Sequence, residues 1–277
     1  MRIGLALGGG AGLGWAHIGV VRVLEEAGID PDIITGTSIG SIVGACVAAD
    51  ILDELEEIAR EVKIRDMLAM SEFGFKQGGL IGVRKIERRL REHFGVMTIE
   101  EMPKPFAAIA ADLISGERIV FDKGDVTTAL MASSAVPGVL PPVATNRMLL
   151  ADGGLIDPIP VSAARDLGAD FIIAVDLQGD YAQRAVKRGF EPDNDRAGRA
   201  PMRTARLGIA LLLRSLSRVR LEADKPDHII APAIGHIDVM DFRKANELIA
   251  LGRLATEAVL HDILAGLEAR GYAVAAS

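Results

Sequence analysis

Two stretches near the N-terminus decide the fold: residues 3–14 read IGLALGGGAGLG, and residues 32–40 read DIITGTSIG. Each begins with a short apolar run typical of a buried strand, passes through a glycine-containing turn and leads into a helical segment. The first helix is predicted from Ala16 to Ala27, where Gly28 ends it, and the second from Ser41 to Ala49. Two successive strand–turn–helix units predict parallel strands connected by helices.

The same alternation continues along the chain and predicts a sheet covered by helices, folded as a single domain over residues 1–277. The predicted strands are Ile3 to Leu7, Asp32 to Thr35, Phe106 to Leu113, Arg118 to Phe121, Met148 to Leu150, Phe171 to Asp176 and His228 to Ile230. Further helices are predicted at Leu52 to Val62, Val83 to His93, Val126 to Ser134, Val161 to Leu167, Leu207 to Leu221 and Asn246 to Leu267.

Two segments lack a clear period. Residues 183–206 carry seven basic and three acidic side chains with two prolines and two glycines, and we predict a mobile basic surface loop there. Residues 71–82 contain Phe73, Phe75 and a Gly78-Gly79 pair, which indicates a loop beside a cleft.

Composition excludes several classes of protein. With 49% hydrophobic residues the chain can bury a large core, and its net charge of −7 argues against a nucleic-acid partner. The single cysteine, Cys46, excludes internal disulfides and fits a reducing cytoplasm. No apolar run approaches the roughly 20 residues that cross a bilayer. We therefore expect a cytoplasmic protein. The basic, leucine-rich helix at Leu207 to Leu221 is compatible with peripheral membrane contact, but an ordinary core-packing helix with exposed arginines is the favoured interpretation.

Gly36-Thr37-Ser38-Ile39-Gly40 matches the G-x-S-x-G turn that presents a nucleophilic serine between a strand and a helix. The flanking glycines Gly36 and Gly40 leave room for a strained backbone, and the N-terminus of the following helix favours a developing alkoxide on Ser38. An ordinary turn in which Ser38 only caps the helix explains the pattern equally well.

The glycine-rich turn after the first strand offers free backbone N–H groups that can bind an anion. Neither the G-x-G-x-x-G frame of dinucleotide-binding turns nor the Gly-Lys-Ser/Thr of a P-loop is present, because Leu13 and Trp15 stand where glycine is required. With the serine turn one strand later, an oxyanion hole is the better interpretation. Close packing of the first helix on the first strand is the alternative.

A nucleophilic serine needs a base, and the residues alone leave its identity open. The histidines are His17, His93, His228, His236 and His261. His17 is expected to pack or cap and His93 and His261 to be exposed, whereas His228 and His236 fit the order Ser, Asp, His of a catalytic triad. Asp152 competes with them, because it ends a strand and is followed by two glycines. Such aspartates also form plain turns.

Four ordered segments resemble the patatin-like phospholipase family: Leu5 to Ala27, Gly36 to Gly40, Ser133 to Val143 (SSAVPGVLPPV) and Asp152 to Val161 (DGGLIDPIPV). The resemblance implies an α/β three-layer sandwich with a mostly parallel central sheet and helices on both faces. It also implies a catalytic Ser–Asp dyad without histidine, which maps onto Ser38 and Asp152, and an oxyanion loop that maps onto Gly9, Gly10 and Ala11. No cofactor or metal is implied.

This chain departs from the family loop, which usually reads Gly-Gly-Gly-x-Arg/Lys-Gly, since Ala11 replaces a glycine and Leu13 stands at the basic position. Losing that charge puts recognition of a phosphate headgroup in doubt, so neutral esters and lysolipids are expected substrates beside diacyl phospholipids. We expect a serine esterase that works through an acyl-serine, with the acyl chain bound near residues 71–82. An acyltransferase with the same dyad and a non-catalytic lipid-binding relative are the alternatives.

Overall fold

The computed structural model describes residues 1–61, 80–187 and 201–272, with the side chains of 80–82, 201–203 and 206 left undescribed. The strands are β1 Ile3–Leu7, β2 Ile33–Thr37, β3 Phe106–Asp112, β4 Arg118–Phe121, β5 Val143–Thr145, β6 Met148–Asp152, β7 Phe171–Val175 and β8 His228–Ile230. The α-helices are α1 Ala16–Glu26, α2 Ile39–Ala48, α3 Leu52–Glu61, α4 Leu80–Phe94, α5 Val126–Ser133, α6 Val161–Asp166, α7 Tyr181–Lys187, α8 Pro201–Asp224 and α9 Ala245–Ala269.

The strands form one mixed sheet, in which hydrogen bonds link them in the order β5-β6-β3-β2-β1-β7-β8. β4 pairs along one edge of β3, and β2 and β6 follow one another along the other edge. From β3 through β8 in this order, each neighbouring pair is parallel. The strands β4, β5 and β6 add antiparallel pairs at one side. The carboxyl ends of the parallel strands therefore meet at one edge of the sheet, where α/β proteins place their ligand sites.

Helices cover both faces of this sheet. Along β1, the side chains of Leu5 and Leu7 join a large apolar cluster with α1, α2 and α9, whereas Ala6 between them joins a smaller cluster with α6. This alternation follows from the period of two in a strand. Because both faces are buried, the strand is continuously apolar, as its sequence reads. The predicted α/β fold, with a mostly parallel sheet between helices, is confirmed.

The structure differs from the sequence prediction in the bounds of several elements; for example, residues 80–82, predicted as the end of a loop, belong to α4. Two differences are larger. A hairpin joins β5 to β6 through Asn146 and Arg147, both with positive φ (47° and 66°). β5 is absent from the sequence prediction because Arg147 stands where such turns usually carry glycine. The predicted basic loop over residues 183–206 is wrong at its ends, because α7 covers Gln183 to Lys187 and α8 begins at Pro201. The remaining part of that loop, 188–200, lies outside the described residues.

Candidate active site

Ser38 lies at the sharp turn between β2 and α2, with φ 58° and ψ −128°. This is a region that a residue with a side chain rarely adopts, so the turn stores backbone strain at the serine. The flanking glycines make the turn sterically feasible: a Cβ on Gly36 would lie 2.3 Å from the carbonyl oxygen of Gly40, and one on Gly40 would lie 2.2 Å from that of Leu7. The G-x-S-x-G pattern is thus required by close backbone approach.

Asp152 reaches the serine because β2 and β6 share one edge of β3. β4 occupies the other edge of β3, so β2 pairs up to Ile109 and the antiparallel β6 takes over from Ala110, which pairs with Asp152. The C-terminal ends of β2 and β6 therefore converge. The chain after Asp152 is held against β2 by the Thr37 hydroxyl, which donates to the carbonyl of Asp157 at 2.8 Å.

The side chains of Ser38 and Asp152 meet directly. Ser38 Oγ donates to Asp152 Oδ2 at 2.5 Å, and Asp152 Oδ1 accepts from the Gly154 N–H at 2.7 Å. Both residues are only 6% exposed. Burial raises the pKa of Asp152 from 3.8 to about 6, while the hydrogen bonds from Ser38 and Gly154 lower this pKa and offset part of that rise. The carboxyl is therefore a stronger base than a solvated aspartate and is still mostly ionised at pH 7.

The glycine-rich loop presents two backbone N–H groups without acceptors in the described part of the chain, those of Gly10 and Ala11. The N–H of Gly9, the third residue predicted for this role, instead donates to the carbonyl of Pro158 at 3.0 Å. Ala11 has φ 49°, a left-handed conformation that glycine adopts more readily than alanine. At the other departure from the family loop, Leu13 is fully buried.

None of the five histidines, all of which lie in described residues, hydrogen-bonds to Ser38 or Asp152. His17 is fully buried, its Nε2 donates to the Gly8 carbonyl at 2.8 Å, and burial lowers its pKa to about 4, so it supports the loop as a neutral ring. The ring of His228 packs at a tilted angle against that of Phe171, and His236 contacts Glu247.

Sequence reasoning missed three buried side chains around this site. The Ser38 N–H donates to Ser133 Oγ at 2.9 Å, and Ser133 opens one of the segments that carry the family resemblance. The Gln178 amide donates to the Gly9 carbonyl at 3.0 Å, and Arg184 donates to Gln178. The sequence signal that could have found Gln178 is its position two residues after the predicted strand Phe171 to Asp176. Arg184 belongs to the segment that was predicted as a surface loop.

The described residues bear on several other predictions. They include no group of three His, Cys, Asp or Glu side chains arranged to hold a metal ion. Across 1–61, 80–187 and 201–272, no helix combines the length and the apolar character that crossing a bilayer requires. The predicted acyl-chain region, residues 71–82 with Phe73 and Phe75, lies outside the residues whose side chains the structure describes.

Comparison with known proteins agrees with this architecture. An uncharacterised NTE family protein of Mycobacterium tuberculosis is 39% identical over 192 residues, which cover 69% of this chain and 53% of the relative. Lysophospholipase NTE1 of Phaeosphaeria nodorum is 34% identical over 180 residues, 63% of this chain and 12% of that protein. The chain thus spans about half the length of its mycobacterial relative.

Two further matches cover the fold and the family. VipD from Legionella pneumophila superimposes with a TM-score of 0.52 over 94% of this chain and 67% of that one, at 14% identity, a likeness in fold alone. The family model described as patatin-like phospholipase matches residues 5–165, more than half of the chain and the part that contains both Ser38 and Asp152. This chain belongs to the patatin-like phospholipase family.

Proposed function

We propose that this chain hydrolyses carboxylic esters of lipids, with Ser38 as nucleophile and Asp152 as the acid/base partner. The observation that carries the proposal is the 2.5 Å hydrogen bond from Ser38 Oγ to Asp152 Oδ2 at a strained strand–helix turn. A serine hydroxyl is a weak nucleophile unless a base takes its proton, and here a desolvated carboxylate stands at the required position.

The reaction runs in two steps. Ser38 Oγ attacks the ester carbonyl carbon while its proton moves to Asp152, and the tetrahedral intermediate expels the alcohol, which takes that proton. The product is an acyl-serine. Water then gives a proton to Asp152 and attacks the acyl carbon, and the fatty acid leaves as the proton returns to Ser38 Oγ.

The oxyanion of each tetrahedral intermediate would be bound by the N–H groups of Gly10 and Ala11. The N–H of Ile39, the first residue of α2, is a third donor without an acceptor among the described residues. One such donor typically contributes about 10²–10³ to the rate. Gly9 lets the loop lie close to the serine, since a Cβ at position 9 would be 3.4 Å from the Cβ of Ser38.

The name lysophospholipase on one relative, together with the loop itself, guides the choice of substrate. Residues 8–14, GGGAGLG, carry no charged side chain, and Leu13 is buried. The loop thus offers no cation to a phosphate headgroup. The uncharged loop favours neutral acyl esters, whereas lysolipids are suggested by the name of that relative alone. We propose both classes as substrates.

Contact with a lipid surface belongs to the same proposal. On α8, Leu211 and Leu212 are exposed and stand beside the basic residues Arg214 and Arg218. Exposed apolar side chains with neighbouring cations suit an anionic bilayer surface. When the proteins are sedimented with anionic vesicles, a smaller fraction of Leu212→Asp than of wild type should bind to the vesicles. Equal bound fractions would contradict this contact.

The central experiment compares wild type with Ser38→Ala on nitrophenyl esters, lysophospholipids and diacyl phospholipids. We expect ester hydrolysis by wild type and its loss in Ser38→Ala, with labelling of Ser38 by a fluorophosphonate. Turnover that depends on an added alcohol acceptor would favour an acyltransferase. Absence of both labelling and turnover would favour a non-catalytic lipid-binding protein.

A further inference from the structure

A buried polar chain stands behind the glycine-rich loop. Arg184 of α7 is 2% exposed, and its Nη1 donates to Gln178 Oε1 at 2.6 Å. Gln178, which follows β7, is 5% exposed and donates from Nε2 to the Gly9 carbonyl at 3.0 Å. The chemistry fixes the orientation of the amide, because a guanidinium can only donate and a carbonyl can only accept. The direction of donation therefore runs from Arg184 through Gln178 to Gly9.

The Gly9 carbonyl belongs to the same planar peptide unit as the Gly10 N–H. In a trans peptide the C=O and N–H point in opposite directions, so the Gly10 N–H points away from Gln178. It donates to no acceptor within the described residues, and Gly9 itself lies beside Ser38. Hydrogen bonds that share one peptide unit strengthen each other, because accepting at the oxygen polarises the N–H.

We propose that Arg184 and Gln178 are positioning residues that orient and polarise the Gly9–Gly10 peptide, so that the Gly10 N–H binds the oxyanion more strongly. The inference rests on the proposed hydrolase function and extends it to residues that touch no substrate. A charged donor begins the chain, and charge-assisted hydrogen bonds are about twice as strong as neutral ones. The loop has no cation of its own, so Arg184 supplies the positive charge from behind it.

The size of the effect follows from two general values. One oxyanion donor contributes about 10²–10³ to the rate, and a neighbouring hydrogen bond strengthens it by roughly 10–30%. We call the hydrogen-bonded chain Arg184–Gln178–Gly9 the relay. If the relay supplies roughly 10–30% of the free energy that the Gly10 N–H contributes, its loss should lower kcat by about two- to eightfold. KM should not change, because the ground-state carbonyl carries little negative charge.

Three variants test the relay. Arg184→Met removes the charge while keeping the length of the side chain. Gln178→Glu keeps the bond to Arg184 as an ion pair, but it replaces the N–H that reaches Gly9 with a carboxylate oxygen. We expect a larger loss of kcat for Gln178→Glu than for Arg184→Met. Arg165→Met controls for the loss of one arginine charge, because the exposed Arg165 donates to the backbone carbonyls of Asp224 and Lys225 and not to the loop.

Inhibitor affinity separates this role from a structural one. A trifluoromethyl ketone forms an anionic adduct with serine, so its affinity should fall by the same factor as kcat, while a neutral ether analogue of the substrate binds unchanged. A further variant, Gln178→Met, completes a double-mutant cycle. In its background Arg184→Met should have no further effect on kcat, because the arginine acts through Gln178.

Three results would overturn the relay: unchanged kcat in Arg184→Met and Gln178→Glu, a rise in KM or a fall in Tm with constant kcat, or losses that multiply in the double variant. Losses that multiply would indicate that the arginine acts on the site through long-range electrostatics and not through Gln178. Failure of the proposed function looks different, because wild type and Ser38→Ala would then hydrolyse esters equally, and the relay would fall with it.

Discussion

Replacing Asp152 with asparagine should abolish ester hydrolysis and also stabilise the folded protein at neutral pH. The amide has the shape of the carboxyl group, so its oxygen can accept from the Gly154 N–H and its nitrogen can donate to Ser38 Oγ. The bond from Gly154 is thereby retained, and the contact with Ser38 is kept with its direction reversed, so that the serine hydroxyl becomes the acceptor. What the substitution removes is a negative charge that is buried without a cation bonded to it among the described residues.

The magnitude follows from the pKa of Asp152, which burial raises from 3.8 to about 6. Between these two pH values the unfolded chain releases a proton that the folded chain keeps, so the stability of wild type falls as pH rises through this window. The cost reaches about 3 kcal/mol above pH 6, because one pKa unit corresponds to about 1.4 kcal/mol. It is less than about 1 kcal/mol at pH 4.

Urea unfolding of wild type and Asp152→Asn at pH 4, 5, 6, 7 and 8 measures this difference. The advantage of the variant should grow between pH 4 and pH 6 and then remain constant. Asp112→Asn is a control of opposite sign, because hydrogen bonds from the Leu149 N–H and from Ser115 lower the pKa of Asp112 and its stabilising effect is lost as pH falls. If Asp152→Asn were less stable than wild type, or if its gain in stability did not depend on pH, the conclusion that Asp152 is a desolvated carboxylate would be wrong.

Three further predictions concern the same site. Below pH 6, kcat/KM on a nitrophenyl ester should rise about tenfold per pH unit and then level off as Asp152 ionises; a flat profile from pH 4 to 8 would exclude this base. Gly40→Ala should abolish soluble expression, because its Cβ would lie 2.2 Å from the Leu7 carbonyl oxygen, whereas the unobstructed Gly208→Ala should keep or raise Tm. His228→Ala and His236→Ala should each retain kcat within about twofold, and loss of activity in either would restore a histidine base.

Local rules predicted most of the secondary structure. The bounds of β1, β4 and β8 agree with the sequence prediction, because apolar runs and their flanking turns determine buried strands. Ser38 could be selected as a candidate nucleophile because the strand, turn and helix around it are contiguous in sequence. Gly36 is required by its close approach to Gly40 within the turn itself, whereas Gly40 is required by the carbonyl oxygens of Leu7 and Gly8, which the pairing of β1 with β2 brings near.

Other features depend on contacts between distant segments. The residues alone left Asp152 competing with His228 and His236, and the family resemblance rather than any local pattern favoured the aspartate. Its position beside Ser38 depends on the order of strands, because β6 takes the edge of β3 that β2 leaves. In the same way, the Gly9 N–H is engaged by Pro158, a residue that no local pattern connects to it.

The sequence by itself thus determined the strand–turn–helix units, including the serine turn and the glycine-rich turn after β1, since each arises within about 15 contiguous residues. Only the tertiary structure decided which carboxylate meets the serine and which loop N–H groups have no acceptor among the described residues. It also decided that Arg184, in a segment whose composition predicts exposure, is buried behind the loop. Desolvation and hydrogen-bond partners are set by what packs against a group, and those neighbours come from remote parts of the chain.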